Sequence, residues 1–402
     1  MLNKKNLFIC LGLITSGHIY ADAIDDAYQI NNIEVTSSSN IWDRIRSGFK
    51  LDHTQNRLVK YYEEKYTKNP TYFRNILNNA TPYIYFILLE TERRGLPSEL
   101  ALLPIVESSY KANAVSPGGI STGLWQFVSS SANRYNMQIN SEIDERQDII
   151  KSSQAAISYL TYLKDLFGSW ELAIAAYNWG EGNIYNAMKK AGSTDYYNLE
   201  TRDATQNYVP KLIALANIIA DPGKFGITLN DIPNTPYFAL VPSQNIQISD
   251  LNNALGISSY TFKQLNPQYK RNYLKETDDL LIPVDKIDEY EKLYVENTGK
   301  DFVPAVEPPD TSNFPKVTPK TSLANKINTM KPREQTKKEE NELTTPHKFT
   351  PIKVSHYKVV KGDTIYSIAK KNHTTVERIV KDNHIKNHAI SINQELIITH
   401  NK

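Results

Sequence analysis

Glu107 is set apart by its surroundings: the apolar run Leu100-Ala-Leu-Leu-Pro-Ile-Val106 precedes it, Ser108-Ser-Tyr110 follows, and Gly123-Leu-Trp-Gln-Phe127 comes shortly after. With Ser98 as the N-cap of a helix entered through Pro97, Leu100, Leu103 and Glu107 fall at i, i+3 and i+7, so the carboxylate emerges on the face of the buried leucines. Partial desolvation there disfavours the charged form and raises the pKa, which is the state a general acid needs near neutrality. The same spacing fits a helix-end glutamate that turns to solvent or pairs with Arg93 or Arg94. Other stretches favour chemistry on sugars. Trp125 and Phe127 form a bulky wall beside the amide of Gln126, and Ala175-Ala-Tyr-Asn-Trp-Gly-Glu-Gly182 ends a helix with an aromatic hydroxyl, an amide and an indole. Aromatic faces with amides and hydroxyls between them suit sugar rings, which have apolar faces and a polar rim.

The elements that must hold these groups read as almost continuous helix with short breaks from 40 to 220. Asn69-Pro70 opens one segment, Thr81-Pro82 opens another that Gly95-Leu-Pro97 ends, and Asp221-Pro-Gly223 closes the block. Between 236 and 295 the texture is that of a small mixed α/β domain, with Tyr237 to Val241 strand-like and Leu251 to Leu255 helical. Residues 301–354 are rich in Pro, Thr, Asn and Lys and poor in aromatics; the expectation is a disordered linker, because such a stretch buries too little apolar surface to offset its ordering entropy. From 355 to 399 order returns: a strand from His356 to Val360, a turn at Lys361-Gly-Asp-Thr364 leading into a helix cap, and a strand from Glu395 to Ile398, with room for two short helices. A weak internal echo links the two smaller segments, since Leu265-Asn-Pro267 and Leu281-Ile282 parallel Asp382-Asn383 and Leu396 to Ile398.

At 402 residues, 40% of them hydrophobic, the chain is long enough for two or three domains. A net charge of +2 gives no global signal for nucleic acid. Lys4-Lys5, the apolar stretch Leu7 to Ile14 and Ala21-Asp-Ala23 fit a signal peptide over 1–23, hence an exported protein of the periplasm or cell envelope. Cys10, the single cysteine, lies inside that segment without the small residues expected ahead of a lipidated cysteine. His384 and His388 have the i, i+4 spacing of a metal pair but no third ligand nearby, so neither a metal nor another cofactor is expected.

Taken in order, Arg94-Gly-Leu-Pro-Ser-Glu-Leu-Ala-Leu-Leu-Pro-Ile-Val-Glu-Ser-Ser-Tyr110, Gly123 to Phe127, Asp144-Glu-Arg146, Ala176-Tyr-Asn178 with Gly180-Glu-Gly182, and Tyr208-Val-Pro210 resemble the lytic transglycosylases of the soluble type, over roughly 40–225. The resemblance implies a mainly α, goose-lysozyme-like catalytic domain with an N-terminal helical extension. It also implies cleavage of the β-1,4 bond between N-acetylmuramic acid and N-acetylglucosamine in peptidoglycan. In that chemistry the muramoyl C6 hydroxyl attacks its own C1 and leaves a 1,6-anhydro end. By motif, Glu107 would protonate the glycosidic oxygen and then accept the C6 hydroxyl proton, while the substrate's acetamido group takes the part of a second carboxylate. Ser116 and Gln126 would orient the carboxylate or the acetamido group, Tyr177 would hydrogen-bond near the reacting centre, and Asn178, Trp125, Phe127 and Tyr208 would shape the sugar groove.

Two positions depart from the pattern. The Ser116 to Gly123 loop is one residue longer, and Ala204 stands four before Tyr208 where an acidic residue is usual, with Asp203 and Glu200 as nearest replacements. A water-using muramidase drawing a second carboxylate from Asp144, Glu145 or Glu181 stays open, as does a catalytically weakened binding or scaffolding protein. Asp144 to Arg146 also reads as a loop-bracing charge cluster, and Glu181 as a cap or rim residue.

Tyr357 to Ala369, Asp382-Asn383 and Asn393 to Ile398 resemble a LysM domain, a βααβ module that binds N-acetylglucosamine-containing glycans. The resemblance puts the sugar groove at Gly362, Asp363, Thr364, Ile365 and Asn383, and Asn393 stands where glycine is usual. Expected partners are therefore peptidoglycan glycan strands, not nucleic acid, with room for a peripheral membrane or envelope association.

Overall fold

The computed structural model describes residues 40–304, positions 323, 324 and 327, and most of 354–399. The expected signal peptide with Cys10, nearly all of the expected linker, Gly362, His384 and His388 lie outside the described residues. The chain divides after Arg333 into two compact units.

Asparagines start the first helices. Asn40 caps α1 (Ile41–Ser47), Asn56 caps α2 (Arg57–Thr67), and Asn69 caps α3 (Pro70–Ala80), their side-chain oxygens accepting N–H groups that a first turn leaves unbonded. Pro70 suits the opening position because its missing N–H would have had no partner there. The α4 helix (Ile84–Arg93) is buried over most of its length and ends before Gly95, whose φ is 63°.

The helix expected from Ser98 through Glu107 is two pieces: a 3-10 turn at Ser98–Leu102 and then α5 (Leu103–Ser108). Pro104 explains the break, since it has no N–H to return to the carbonyl four residues earlier. Ser98 is not a cap. Its hydroxyl donates to the Ile45 carbonyl at 2.6 Å and ties this turn to α1.

Continuous helix also fails between Ser109 and Asp148. There the chain makes a 3-10 turn at Pro117–Gly119, a hairpin of β1 (Ser121–Thr122) with β2 (Phe127–Val128), and only the short α6 (Ser129–Arg134). Pro117 and a cluster of Gly, Ser and Asn residues cause this, because serine and asparagine side chains compete for backbone hydrogen bonds and glycine weakens helix. Regular helix resumes with α7 (Ile149–Phe167), capped by Asp148, then α8 (Trp170–Trp179), α9 (Glu181–Ala191), the single turn α10 (Asp203–Gln206) and α11 (Tyr208–Ala220). The α7 and α11 helices are apolar on most faces because each is covered: α7 by α4 and α8, α11 by α2, α5 and α8. Among the described residues no helix is long and apolar enough to cross a membrane.

A second core forms between β3 (Phe238–Pro242) and β6 (Asp279–Pro283), which pair antiparallel with Phe238 opposite Pro283. Between them lie β4 (Ile246–Gln247), α12 (Ile248–Leu255), α13 (Ser259–Leu265) and β5 (Tyr273–Leu274), and α14 (Ile287–Thr298) follows. This module rests on the helical body through Tyr83 Oη donating to the Gln264 carbonyl at 2.9 Å, Asp144 N–H donating to the Gln268 carbonyl at 2.9 Å, and a Lys275–Glu142 ion pair at 2.6 Å.

The second unit repeats the same order. Its β7 (Val354–Lys358) pairs antiparallel with β8 (Glu395–Thr399), and α15 (Ile365–Lys371) and α16 (Val376–Asp382) lie between them. The internal echo of the sequence has a physical basis. Asn266, just past α13, bonds the N–H and carbonyl of Leu281 at 2.9 and 2.8 Å; Asn383, just past α16, bonds the N–H and carbonyl of Ile397 at 2.6 and 2.8 Å.

Candidate active site

Glu107 lies in the last turn of the six-residue α5 helix, which is otherwise largely buried. Ser108 fixes the end of that helix, its hydroxyl donating to the carbonyls of Pro104 and Leu124 and joining α5 to the Gly123 turn. Burial raises the Glu107 pKa to about 7, against the opposing effects of a hydrogen bond from Tyr208 and the charge of Lys211. The donor is the Tyr208 hydroxyl, in the first turn of α11, which gives its proton to Oε1 of Glu107. Arg93 and Arg94 are engaged with Glu90 instead, so the alternative of a helix-end ion pair for Glu107 falls.

Tyr177 in α8 also lies within electrostatic reach of the carboxyl. Its hydroxyl donates to the Trp125 carbonyl at 2.9 Å, and burial followed by the neighbouring Glu107 charge drives its pKa well up, so the phenol stays protonated. Phe127 meets the Tyr177 ring edge-on and supports it from within the core.

Trp125 and Phe127 were expected to line a sugar groove; both are core residues. Trp125 is 0% exposed, its indole N–H donating to Ser153 at 2.9 Å, and Phe127 is 3% exposed. The reason is the hairpin turn between them: Gln126 adopts φ 51°, which sends the aromatic rings on either side inward while Gln126 itself stays half-buried. The Gln126 amide is absorbed by its own loop. It donates to the carbonyls of Gly123 and Ala114 at 2.8 and 3.3 Å and accepts from Ser121 Oγ at 2.9 Å. Ser116 does similar work, its Oγ accepting the Ser121 N–H at 2.9 Å. Neither side chain is bonded to Glu107; they shape the loop that faces it.

Gly123 cannot be replaced without moving that loop. Its φ is 86°, and a Cβ would come within 2.0 Å of the Arg146 carbonyl oxygen. Behind it, Asp144 and Arg146 form a buried ion pair at 2.7 Å, and Glu145 pairs with Lys151 at 2.8 Å. Glu181 is pushed up by burial, yet Arg134 at 2.9 Å and the Tyr159 hydroxyl at 2.7 Å hold its pKa below the usual carboxylate range. All three carboxylates weighed as a second catalytic group are thus committed to internal partners.

Asn178 braces the segment before Tyr208. Its side-chain oxygen accepts from Thr205 Oγ1 at 2.8 Å and Arg202 Nη2 at 3.0 Å. Ala204 is exposed in α10, and Glu200 is drawn to Lys190 at 2.6 Å on the surface, so it does not stand in for an acidic residue at that position. Lys211 was not foreseen. It follows Tyr208 by three residues on one helix face, a spacing that marks it as a neighbour only once Tyr208 is known to touch Glu107.

In the second unit, Thr364 caps α15 in a reciprocal capping box with Ser367. Asp363 accepts from the Tyr357 hydroxyl and the Val360 N–H at 3.0 and 2.9 Å, which sets the loop. Ile365, expected in the sugar groove, is 4% exposed and belongs to the module's core, because it opens a two-turn helix that has to bury its first apolar residue. Asn383 is spent on its clasp with Ile397. Asn393 takes φ 68°, the left-handed conformation asparagine tolerates best after glycine, so the last turn is kept. Among the described residues no cluster of His, Cys, Asp or Glu could hold a metal ion.

Three family models match in sequence. Residues 84–200 match the Transglycosylase SLT domain, 240–297 match the LysM-like domain of lytic transglycosylase MltD, and 357–399 match the LysM domain. A protein of Alteromonas sp. whose name refers to tributyltin chloride resistance is 38% identical over 167 residues, 40% of this chain and 79% of that one. The chain belongs to the Transglycosylase SLT-domain family. Membrane-bound lytic murein transglycosylase D of Escherichia coli K12, and the protein of the same name from Escherichia coli O6:H1, are each 30% identical over 258 residues, 63% of this chain. The chain spans 57% of the length of these two relatives. The SLT match contains Glu107, Gln126, Tyr177 and Asn178 and ends before Tyr208, whose hydroxyl nevertheless completes the carboxyl's environment.

Proposed function

We propose that this lytic transglycosylase cleaves the β-1,4 bond between N-acetylmuramic acid and N-acetylglucosamine in peptidoglycan and leaves 1,6-anhydro-muramoyl ends. The observation that carries this reading is a single carboxyl, Glu107, with a pKa near 7 and one phenolic donor against it, while Asp144, Glu145 and Glu181 are engaged elsewhere. A carboxyl balanced between its two forms donates its proton to the glycosidic oxygen and, once ionised, accepts the C6 hydroxyl proton. Tyr208 stabilises the ionised form between the two steps through its hydrogen bond.

Tyr177 holds the Gly123–Phe127 hairpin against the carboxyl, and Ser116, Gln126 and Asn178 hold the loops that frame the sugar groove. The chain acts in the cell envelope, exported by its N-terminal segment. The catalytic domain is 40–225, the LysM-like module 236–295 is a fixed companion to it, and the LysM module 355–399 raises the local concentration of glycan through the tether at 301–354. Mass analysis of digested sacculi tests the reading. Wild-type protein yields anhydro-muramoyl ends and Glu107→Gln yields none, whereas ordinary reducing muramic ends would identify a water-using muramidase.

A further inference from the structure

Helices α2 and α11 pack together beside Glu107, and their contact carries an unusual grouping of charge. The ammonium nitrogens of Lys65 and Lys211 lie 5.6 and 5.5 Å from the centroid of one ring, that of Tyr62. Lys65 also sits 5.8 Å from the ring of Tyr61, which is 51% exposed. Among the described residues neither lysine forms an ion pair with a carboxylate. The acidic side chain nearest in sequence on the buried side of α2, Glu63, is taken by Gln55 and Asn217.

Two ammonium groups around one aromatic ring are held by its negative quadrupole at the cost of mutual repulsion. The repulsion registers on Lys211, whose pKa is lowered first by burial and then by Lys65, with Glu107 acting in the opposite sense. Among the described residues Glu107 is the one carboxylate whose charge acts on Lys211, and a carboxyl half-protonated near neutrality leaves the pair with surplus positive charge. Half-buried Lys211 and exposed Lys65 thus present that surplus at the edge of the site. On the peptidoglycan reading, the sugar rings of the substrate are neutral. Its negative charge is on carboxylates attached to the muramoyl residue, either the lactyl group itself or the peptide stem that the lactyl group carries.

We propose that Lys65 and Lys211, seated against Tyr62, form a subsite for a carboxylate borne by the muramoyl residue at the scissile bond. The proposal rests on the peptidoglycan reading above and adds a charge requirement to it. Rates are measured for the full chain, Lys65→Met, Lys211→Met and Lys65→Arg on three substrates: peptide-bearing glycan strands, the same strands with carboxylates converted to methylamides, and amidase-stripped strands with free lactyl groups.

Each methionine variant is expected to lose about tenfold in kcat/KM on peptide-bearing strands, the worth of one modest charge-assisted contact, chiefly through KM. Lys65→Arg restores it, and the ratio of wild type to Lys65→Met returns to about one on methylamide strands. Loss confined to peptide-bearing strands identifies the stem carboxylates, loss confined to stripped strands identifies the lactyl carboxylate, which is an amide while the stem is attached, and loss on both shows that the subsite accepts either. Lys65→Met is the deciding variant, because Lys211 also acts on Glu107. An equal loss on charged and neutralised strands, or no loss on either charged substrate, overturns the subsite. Absence of anhydro ends from wild type on all three substrates sinks the function itself, a result distinct from any ratio between variants.

Discussion

Glu107 and Tyr208 stand 101 residues apart in sequence and share one proton-bearing contact. Burial lifts the Glu107 pKa to about 7, so on the proposed mechanism the acid form used in the first step is lost as pH rises through that value. The kcat/KM profile is accordingly expected to fall above about pH 7, and Glu107→Gln to lower activity about 100- to 10,000-fold, measured on soluble glycan strands. Stability follows the same group. The folded state holds the Glu107 proton up to about pH 7, whereas the unfolded chain releases it near 4.5, so the folded protein binds more protons in that window and loses stability as pH rises through it. Glu107→Gln removes that loss and is expected to be more stable than wild type at pH 8 by about 1–3 kcal/mol in denaturant titrations. Tyr208→Phe removes the donor that favours the ionised carboxyl. The alkaline limb of the profile should move upward and kcat fall about 10- to 100-fold; an unmoved limb would show that the phenol does not tune the acid.

At the scale of elements, the Gly123 turn is the most constrained piece around the site. Gly123→Ala would require a left-handed alanine and a shift of the Arg146 backbone, so the expected cost is about 2 kcal/mol or more, together with loss of activity from a displaced hairpin, read by thermal melting and strand cleavage. Much of the element layout was legible in the chain: Asn69-Pro70 and Asp221-Pro222 are local signals, and the structure places helix ends at both. Glu107 was legible for the same local reason, an acid closing an apolar run. Trp125, Phe127 and Ile365 were misjudged because an aromatic or aliphatic residue looks alike in sequence whether its ring or chain faces a groove or a core. Backbone dihedrals decide that, and the φ of 51° at Gln126 is not written in its residue type. Lys211 was missed because its relevance depends on a tertiary contact made by its neighbour.

At the scale of the molecule, two copies of one βααβ module occur in one chain, and one of them is fastened to the catalytic helices by Tyr83, Asp144 and Glu142. Deleting 355–399 is expected to lower sacculus binding about tenfold or more in pull-down, while cleavage of short soluble strands persists, because tethering raises local substrate concentration without touching the acid. Among the described residues β6 and β8 each pair with one strand only, β3 and β7. The clasps of Asn266 and Asn383 lie on the other side of β6 and β8, each amide filling both backbone groups of one strand residue as a third strand would. A stray extended chain finds that register already occupied. The two asparagines therefore close that register of each strand to edge-to-edge pairing.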